Sequence, residues 1–238
     1  MARTKMTRHE LKTQDEITTT LQRFTDTVYA RQKEIIAGVI IVVVIAGALI
    51  GWNIYSTSRD ANAQSQLSAA IRVFNDTTNI KSDKERYEKT IVEAQKALDA
   101  YASHPVGVIA QYYLALSQEG LGDTAKSVQN LQEVINRGDA SIKGVAQFAL
   151  AGVHKKHGEP QKAIEIYKQL YEGGGYSKAA TAFELAKTHE EANQLDPAKE
   201  YYQKVVSDFP ESPFRQDAES ALKRMGVTPP VPPPPPSE

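Results

Sequence analysis

From Ile35 to Ser58 the chain runs 24 residues without a charged side chain, bounded by Glu34 and Arg59. Its centre, Ile35 to Trp52, holds only Ile, Val, Leu, Ala, Gly and Trp, and ten of those eighteen residues are Ile or Val. In water such β-branched residues favour strand, but a continuous apolar run of this length has no place in a soluble sheet. In lipid a helix satisfies its own backbone, and about 20 residues at roughly 1.5 Å each cross a bilayer core. The pattern predicts a transmembrane helix over 35–55. Trp52 and Tyr55 fall at its far end, where amphipathic rings anchor at the membrane interface. The rival is a cleaved signal peptide, with Ala61-Asn62-Ala63 as the cleavage site. The apolar run is longer than a usual signal core, and 34 residues precede it.

Beyond the run the pattern changes. Residues 56–226 are dense in Ala, Gln, Lys, Glu and Leu, with few turn residues inside each segment. Punctuation at Thr77-Thr78-Asn79, Ser103-His104-Pro105, Gly120-Leu121-Gly122-Asp123, Gly138-Asp139, Gly158-Glu159-Pro160, Gly173-Gly174-Gly175, Asp196-Pro197 and Phe209-Pro210 predicts about nine short helices and no strand. Asp123 and Ser141 are expected N-caps, and Pro160 and Pro197 suit the first turn of a helix. Residues 60–102 read as an irregular helix pair. Ser212 to Met225 reads as a capping helix, with Phe214, Ala218, Ala221 and Leu222 on one face.

An internal repeat sets the architecture. Leu114-Ala115, Leu150-Ala151 and Leu185-Ala186 stand 36 and 35 residues apart. The same offsets carry Gly122-Asp123, Gly158-Glu159 and Asn193-Gln194. They also carry Ser127, Ala163 and Ala198, then Leu131, Tyr167 and Tyr202, then Val134, Leu170 and Val205. A period near 34 built of helix–turn–helix units resembles the tetratricopeptide (TPR) repeat. Small residues let paired helices approach, and large ones fill the gaps between repeats. The units are divergent. The bulky residue expected early in each first helix is Gln111, Gln147 and Ala182, and an aromatic follows one residue later. The expected fold is all-α, a transmembrane helix followed by a TPR-like α-solenoid of antiparallel helix pairs. Its parts are a cytoplasmic tail (1–34), the span (35–55), the repeat domain (56–226) and a proline-rich tail (227–238).

Composition sharpens this picture. The chain has 28 Lys+Arg against 29 Asp+Glu, a formal net charge of −1, and no cysteine. The balance argues against nucleic-acid binding, and zero Cys excludes disulfides, thiolate metal sites and a Cys nucleophile. The mean hydropathy of −0.44 averages unlike segments. Residues 1–34 hold seven Lys/Arg and five acids (+2), and residues 59–238 hold 21 and 24 (−3). The positive-inside rule favours a cytoplasmic N-terminus, with the repeat domain outside the cytoplasm, in the periplasm of a cell with two membranes. Seven of the 12 prolines lie in residues 229–238, which reads as extended polyproline-type chain, a spacer or a ligand for an aromatic groove.

A short tail, a span ending in Gly51-Trp52-x-x-Tyr55 and a divergent TPR array together resemble the YfgM-like family. The opening Arg8-His9-Glu10-Leu11-Lys12, followed by Asp15-Glu16, is similar to the pre-membrane segment of that family. The resemblance covers about residues 6–226. It implies a single-pass inner-membrane protein with a periplasmic TPR-like domain. The implied partners are the SecYEG translocon and a membrane-anchored periplasmic chaperone of the prolyl-isomerase type. The alternative is a structural assembly factor of another envelope machine, such as those of division, pilus or outer membrane.

Five features carry candidate chemistry. The aromatic column Tyr112, Phe148 and Phe183 lies on the first helices, which line the concave groove of a TPR superhelix. It would either grip a partner peptide or replace the missing early aromatics in the core. The polar column Glu119, Lys155 and Glu190, with Lys187 one turn before Glu190, would supply groove contacts or form a solvated face. His154 and His157, with His189 in the column of His154, lack a carboxylate at metal-site spacing, and His154 and His189 read as inter-repeat packing groups. Gly47-x-x-x-Gly51 allows close contact with another membrane helix, or is simply a span's ordinary glycine content. The Gly173-Gly174-Gly175 run lacks a following Lys-Ser/Thr and reads as a loop. No GxSxG, Walker A, HExxH or dinucleotide fingerprint is present, so no catalytic residue, cofactor, metal or small-molecule substrate is expected.

Overall fold

The structure, a computed structural model, describes Ile45 and residues 56–230. The predicted span, with Gly47, Gly51, Trp52 and Tyr55, lies outside the described residues. Among those described, no helix is long and apolar enough to cross a membrane. The chain divides into two compact units, residues 1–60 and 61–238. Of the first, the described residues Ile45 and 56–60 are helical.

The described part of the second unit is all helical. Its helices are α1 (residues 61–75), α2 (Asp83–Ala100), α3 (Pro105–Gly120), α4 (Thr124–Arg137), α5 (Ala140–Lys156), α6 (Pro160–Gly173), α7 (Lys178–Glu191), α8 (Leu195–Asp208) and α9 (Arg215–Arg224). From α2 onward each helix packs on its sequence neighbours, and α3 also touches α5. That is the connectivity of a solenoid, in which each unit rests only on adjacent units.

The repeat columns are the core. Leu114, Leu150 and Leu185, with their following alanines, are buried. So are Ser127, Ala163 and Ala198, Leu131, Tyr167 and Tyr202, and Val134, Leu170 and Val205. Clusters pass down the array from Ala63, Leu67, Ala97 and Val106, through Leu131, Val134 and Leu150, to Tyr202, Val205 and Leu222. Each buried Leu or Val among them contributes about 1.5–3 kcal/mol. The irregular pair at residues 60–102 is α1 and α2, whose Ala70 and Ala94 pack on Leu114 of the first regular repeat. At the other end Ala218, Ala221 and Leu222 of α9 cover the third repeat.

Two expected helix starts move. The N-cap of α5 is Asp139, not Ser141. The Asp139 carboxylate accepts from the Ser141 and Ile142 amides at 2.9 and 3.1 Å. An ionised, acceptor-only side chain placed just before the helix captures these free amides, and Ser141 falls inside the first turn. The capping helix begins at Arg215, three residues after Ser212, because residues 210–214 form a turn in which the Ser212 hydroxyl accepts the Phe214 amide at 3.2 Å and its carbonyl accepts the Arg215 amide at 3.1 Å.

Candidate functional site

Each repeat closes its helix pair with the same turn. Gly122, Gly158 and Asn193 take left-handed backbone angles, φ +84°, +75° and +58°. The next residue's amide reaches back to the carbonyl five residues earlier: Asp123 to Gln118, Glu159 to His154 and Gln194 to His189, at 2.8–2.9 Å. This six-to-one bond satisfies a carbonyl that the helix end leaves open. Two turns are fastened by their histidines. His154 Nδ1 donates to Glu159 at 2.6 Å, and His189 Nδ1 donates to Gln194 Oε1 at 2.6 Å. These rings therefore lock the turn within a repeat, where packing between repeats was expected. His157 is used elsewhere, and no group of three or more His, Asp or Glu poised for a metal occurs among the described residues.

The aromatic column sits on α3, α5 and α7, and its three rings are half-buried. Tyr112 meets Tyr113 edge-on at 5.6 Å. Burial, with Tyr113 and Tyr176 nearby, pushes the Tyr112 phenol up to about 12. Phe148 stacks on Tyr176 at 4.3 Å and meets Tyr167 edge-on at 5.3 Å. Phe183 stacks on Phe214 at 5.2 Å, meets Tyr202 at 5.9 Å, and has Lys187 Nζ 5.6 Å from its centroid. Each ring thus packs in part against its own unit and keeps the remainder exposed.

Tyr176 and Phe214 lie in the connections that follow repeats two and three, and both cover a ring of the column. The glycine run explains how Tyr176 arrives there. A Cβ built on Gly144 of α5 comes 1.9 Å from the Gly175 carbonyl oxygen, so only a glycine lets the loop lie against that helix. Repetition could not reveal these covering residues. Tyr176 follows Phe148 by 28 positions and Phe214 follows Phe183 by 31, because the connections differ in length.

The polar column joins successive units. Glu119 on α3 accepts from Lys156 Nζ at 2.8 Å and from His157 Nε2 at 2.9 Å, both on or beside the end of α5. The same His157 nitrogen lies 2.9 Å from Thr124 Oγ1. Lys155 on α5 donates to Glu184 on α7 at 2.5 Å, with Glu191 at 3.9 Å. Lys187 also approaches Glu184, at 3.3 Å. Glu190 on α7 accepts the Tyr202 hydroxyl at 2.7 Å and lies 3.6 Å from Arg224 of α9. Charge therefore passes from repeat one to two, two to three, and three to the cap.

Burial alone would raise the Glu119 carboxyl. The hydrogen bonds and charges of Lys156 and His157 outweigh it and hold the group below the ordinary carboxylate range. Glu184 behaves alike. Its burial is outweighed by Lys155 and then Lys187. Burial and the neighbouring carboxylates raise the Tyr167 phenol. Burial and the Glu190 hydrogen bond raise that of Tyr202. The groups stay in one charge state near neutrality and act as structural ties.

Comparisons with known proteins agree with this architecture. A tetratricopeptide repeat-like domain model matches residues 29–173, and a tetratricopeptide repeat model matches residues 177–212. Among solved structures, the chain is similar to nearly identical TPR-like repeats from a Podosopora anserina protein assigned to the kinesin light chains. The TM-score is 0.55 at 18% identity, covering 69% of this chain and 87% of that one. A glutamine-to-methionine variant of the same repeats matches equally. MamA matches with a TM-score of 0.47 at 20% identity, covering 60% of this chain and 81% of MamA. Comparison with curated proteins gives no match. At these identities the likeness to the repeats from Podosopora anserina concerns fold. The first domain match spans more than half of the 238 residues, and the chain belongs to the tetratricopeptide repeat-like domain family.

Proposed function

We propose that this chain is a membrane-anchored scaffold whose TPR-like array binds protein partners outside the cytoplasm. In that reading it is a YfgM-like ancillary factor of the Sec translocon and its periplasmic chaperones. TPR-like domains generally mediate protein–protein interaction, and such repeat proteins are typically scaffolds without enzymatic activity. The observation that carries the proposal is the charge-free run Ile35–Ser58 placed directly before the array. A span there tethers the array beside a membrane complex and raises its effective concentration at that surface. Close to the run, Arg23, Arg31 and Lys33 on one side against Arg59 and Arg72 on the other support a cytoplasmic N-terminus. The part-exposed rings of Tyr112, Phe148 and Phe183, with Lys187 beside Phe183, offer apolar contact area with a cation at its edge.

Carbonate extraction of membranes followed by purification in mild detergent tests the proposal. The chain is expected to stay in the membrane pellet and to recover translocon or chaperone components. Release by carbonate removes the anchor from the account. Recovery with components of a division, pilus or outer-membrane machine, and none of the export machinery, replaces the Sec assignment by the assembly-factor reading.

A further inference from the structure

The corner between α8 and α9 forms an open cleft with the start of α7. It has a volume of about 530 Å³ and is lined by Ala179, Phe209, Pro210, Pro213 and Phe214, with Asp208 and Glu211 among its polar residues. Aromatic and proline side chains on a concave surface are the chemistry that recognises polyproline-type chain. Such chain needs no backbone partners and loses little entropy on docking. We propose that this cleft is a polyproline-binding site and that its occupant is the chain's own proline run, residues 229–236.

Three observations converge on that occupant. Val227 packs on the terminal core cluster to which Phe209 and Phe214 also belong, so the tail leaves from the same end of the array as the cleft. Pro229 and Pro230 are already half-buried. The reach is also sufficient. Going back from the end of α9 to its start covers ten residues, roughly 15 Å. The six residues from Val231 to Pro236 extend to roughly 19 Å at about 3.1 Å each. Charge sets the direction. Residues 229–236 carry no charge and meet no repulsion from Asp208 and Glu211, whereas Glu238 is a like charge and is expected to stay outside. Docking would cover the Phe214 edge of the aromatic column, because Phe214 is the ring stacked on Phe183.

The cysteine-free chain gives a clean background for disulfide trapping. The full-length protein in detergent would carry Glu211→Cys with Pro234→Cys. A control would carry Lys126→Cys, two repeats away on α4, with Pro234→Cys. The first pair is expected to close within one chain about tenfold faster than the control, through locally raised concentration. Replacing prolines 232, 233, 235 and 236 by serine, or adding excess synthetic peptide of residues 229–238, should remove that advantage. Closure only between two chains, closure of both pairs at one rate, or closure unaffected by the serine tail would each overturn the proposal.

Discussion

Gly144 and Gly152 lie on the same helix, α5, and the structure gives their alanine variants opposite signs. A Cβ at Gly144 comes 1.9 Å from the Gly175 carbonyl oxygen and 2.5 Å from its carbon. Both are backbone atoms, so the loop must move. Gly175 itself holds φ +90°, which leaves the loop few alternatives. Moving it disturbs the stack of Tyr176 on Phe148. Such a pair is worth about 0.5–1.5 kcal/mol, and overpacking a filled site costs about 1–3 kcal/mol. Alanine returns about 0.8–1 kcal/mol of helix propensity. Gly144→Ala should therefore destabilise the array by roughly 2 kcal/mol. At Gly152 the nearest atom to the built Cβ is the Tyr167 hydroxyl, at an ordinary 3.7 Å. Gly152→Ala should keep the propensity gain and stabilise by about 0.5–1 kcal/mol. Urea titration of both variants by circular dichroism measures this. A Gly144→Ala midpoint equal to or above wild type, or a loss at Gly152 as large as that at Gly144, would refute the packing argument.

The remaining predictions concern caps and charges. Asp139→Ala should cost about 1 kcal/mol by uncapping α5, while Ser141→Ala should change urea stability by less than about half of that. A double-mutant cycle of Lys155→Met and Glu184→Gln should give a coupling on the order of 1–2 kcal/mol, because both side chains are more than three-quarters buried. Glu119 and Glu184 titrate below their ordinary value of 4.5, so their stabilisation is complete above that pH. It is lost as pH falls from there through their lower folded values. Acid titration of Glu184→Gln should accordingly show a shallower loss of stability below pH 4.5 than wild type.

The array was legible because repetition samples each core position three times. Leu114, Leu150 and Leu185 announce one face, Ser127, Ala163 and Ala198 another, and all six are buried. The turn was legible for the same reason, since Gly122, Gly158 and Asn193 share a backbone conformation that few residue types tolerate. What broke the period stayed hidden. Tyr176 and Phe214 cover the aromatic column from connections of unequal length, so they form no column of their own. The choice of Asp139 over Ser141 as N-cap was a one-turn competition between two good capping residues, decided by local geometry. Glu119, Lys155 and Glu190 resembled a solvated face because single charged residues on a helix usually are one. The partners lie off the column, at Lys156, His157, Glu184 and Arg224, and share no register across the repeats.

The central claim is that the first helices present a protein-binding face on a membrane-tethered array. Photocrosslinking probes replacing Tyr112 and Phe183 in the full-length protein within its native membrane test it most directly, with Lys168 on the exposed side of α6 as the control. The account predicts protein adducts from positions 112 and 183 that include translocon or chaperone components, and few from 168. Equal labelling from all three positions, or no protein adduct from 112 and 183, would contradict it.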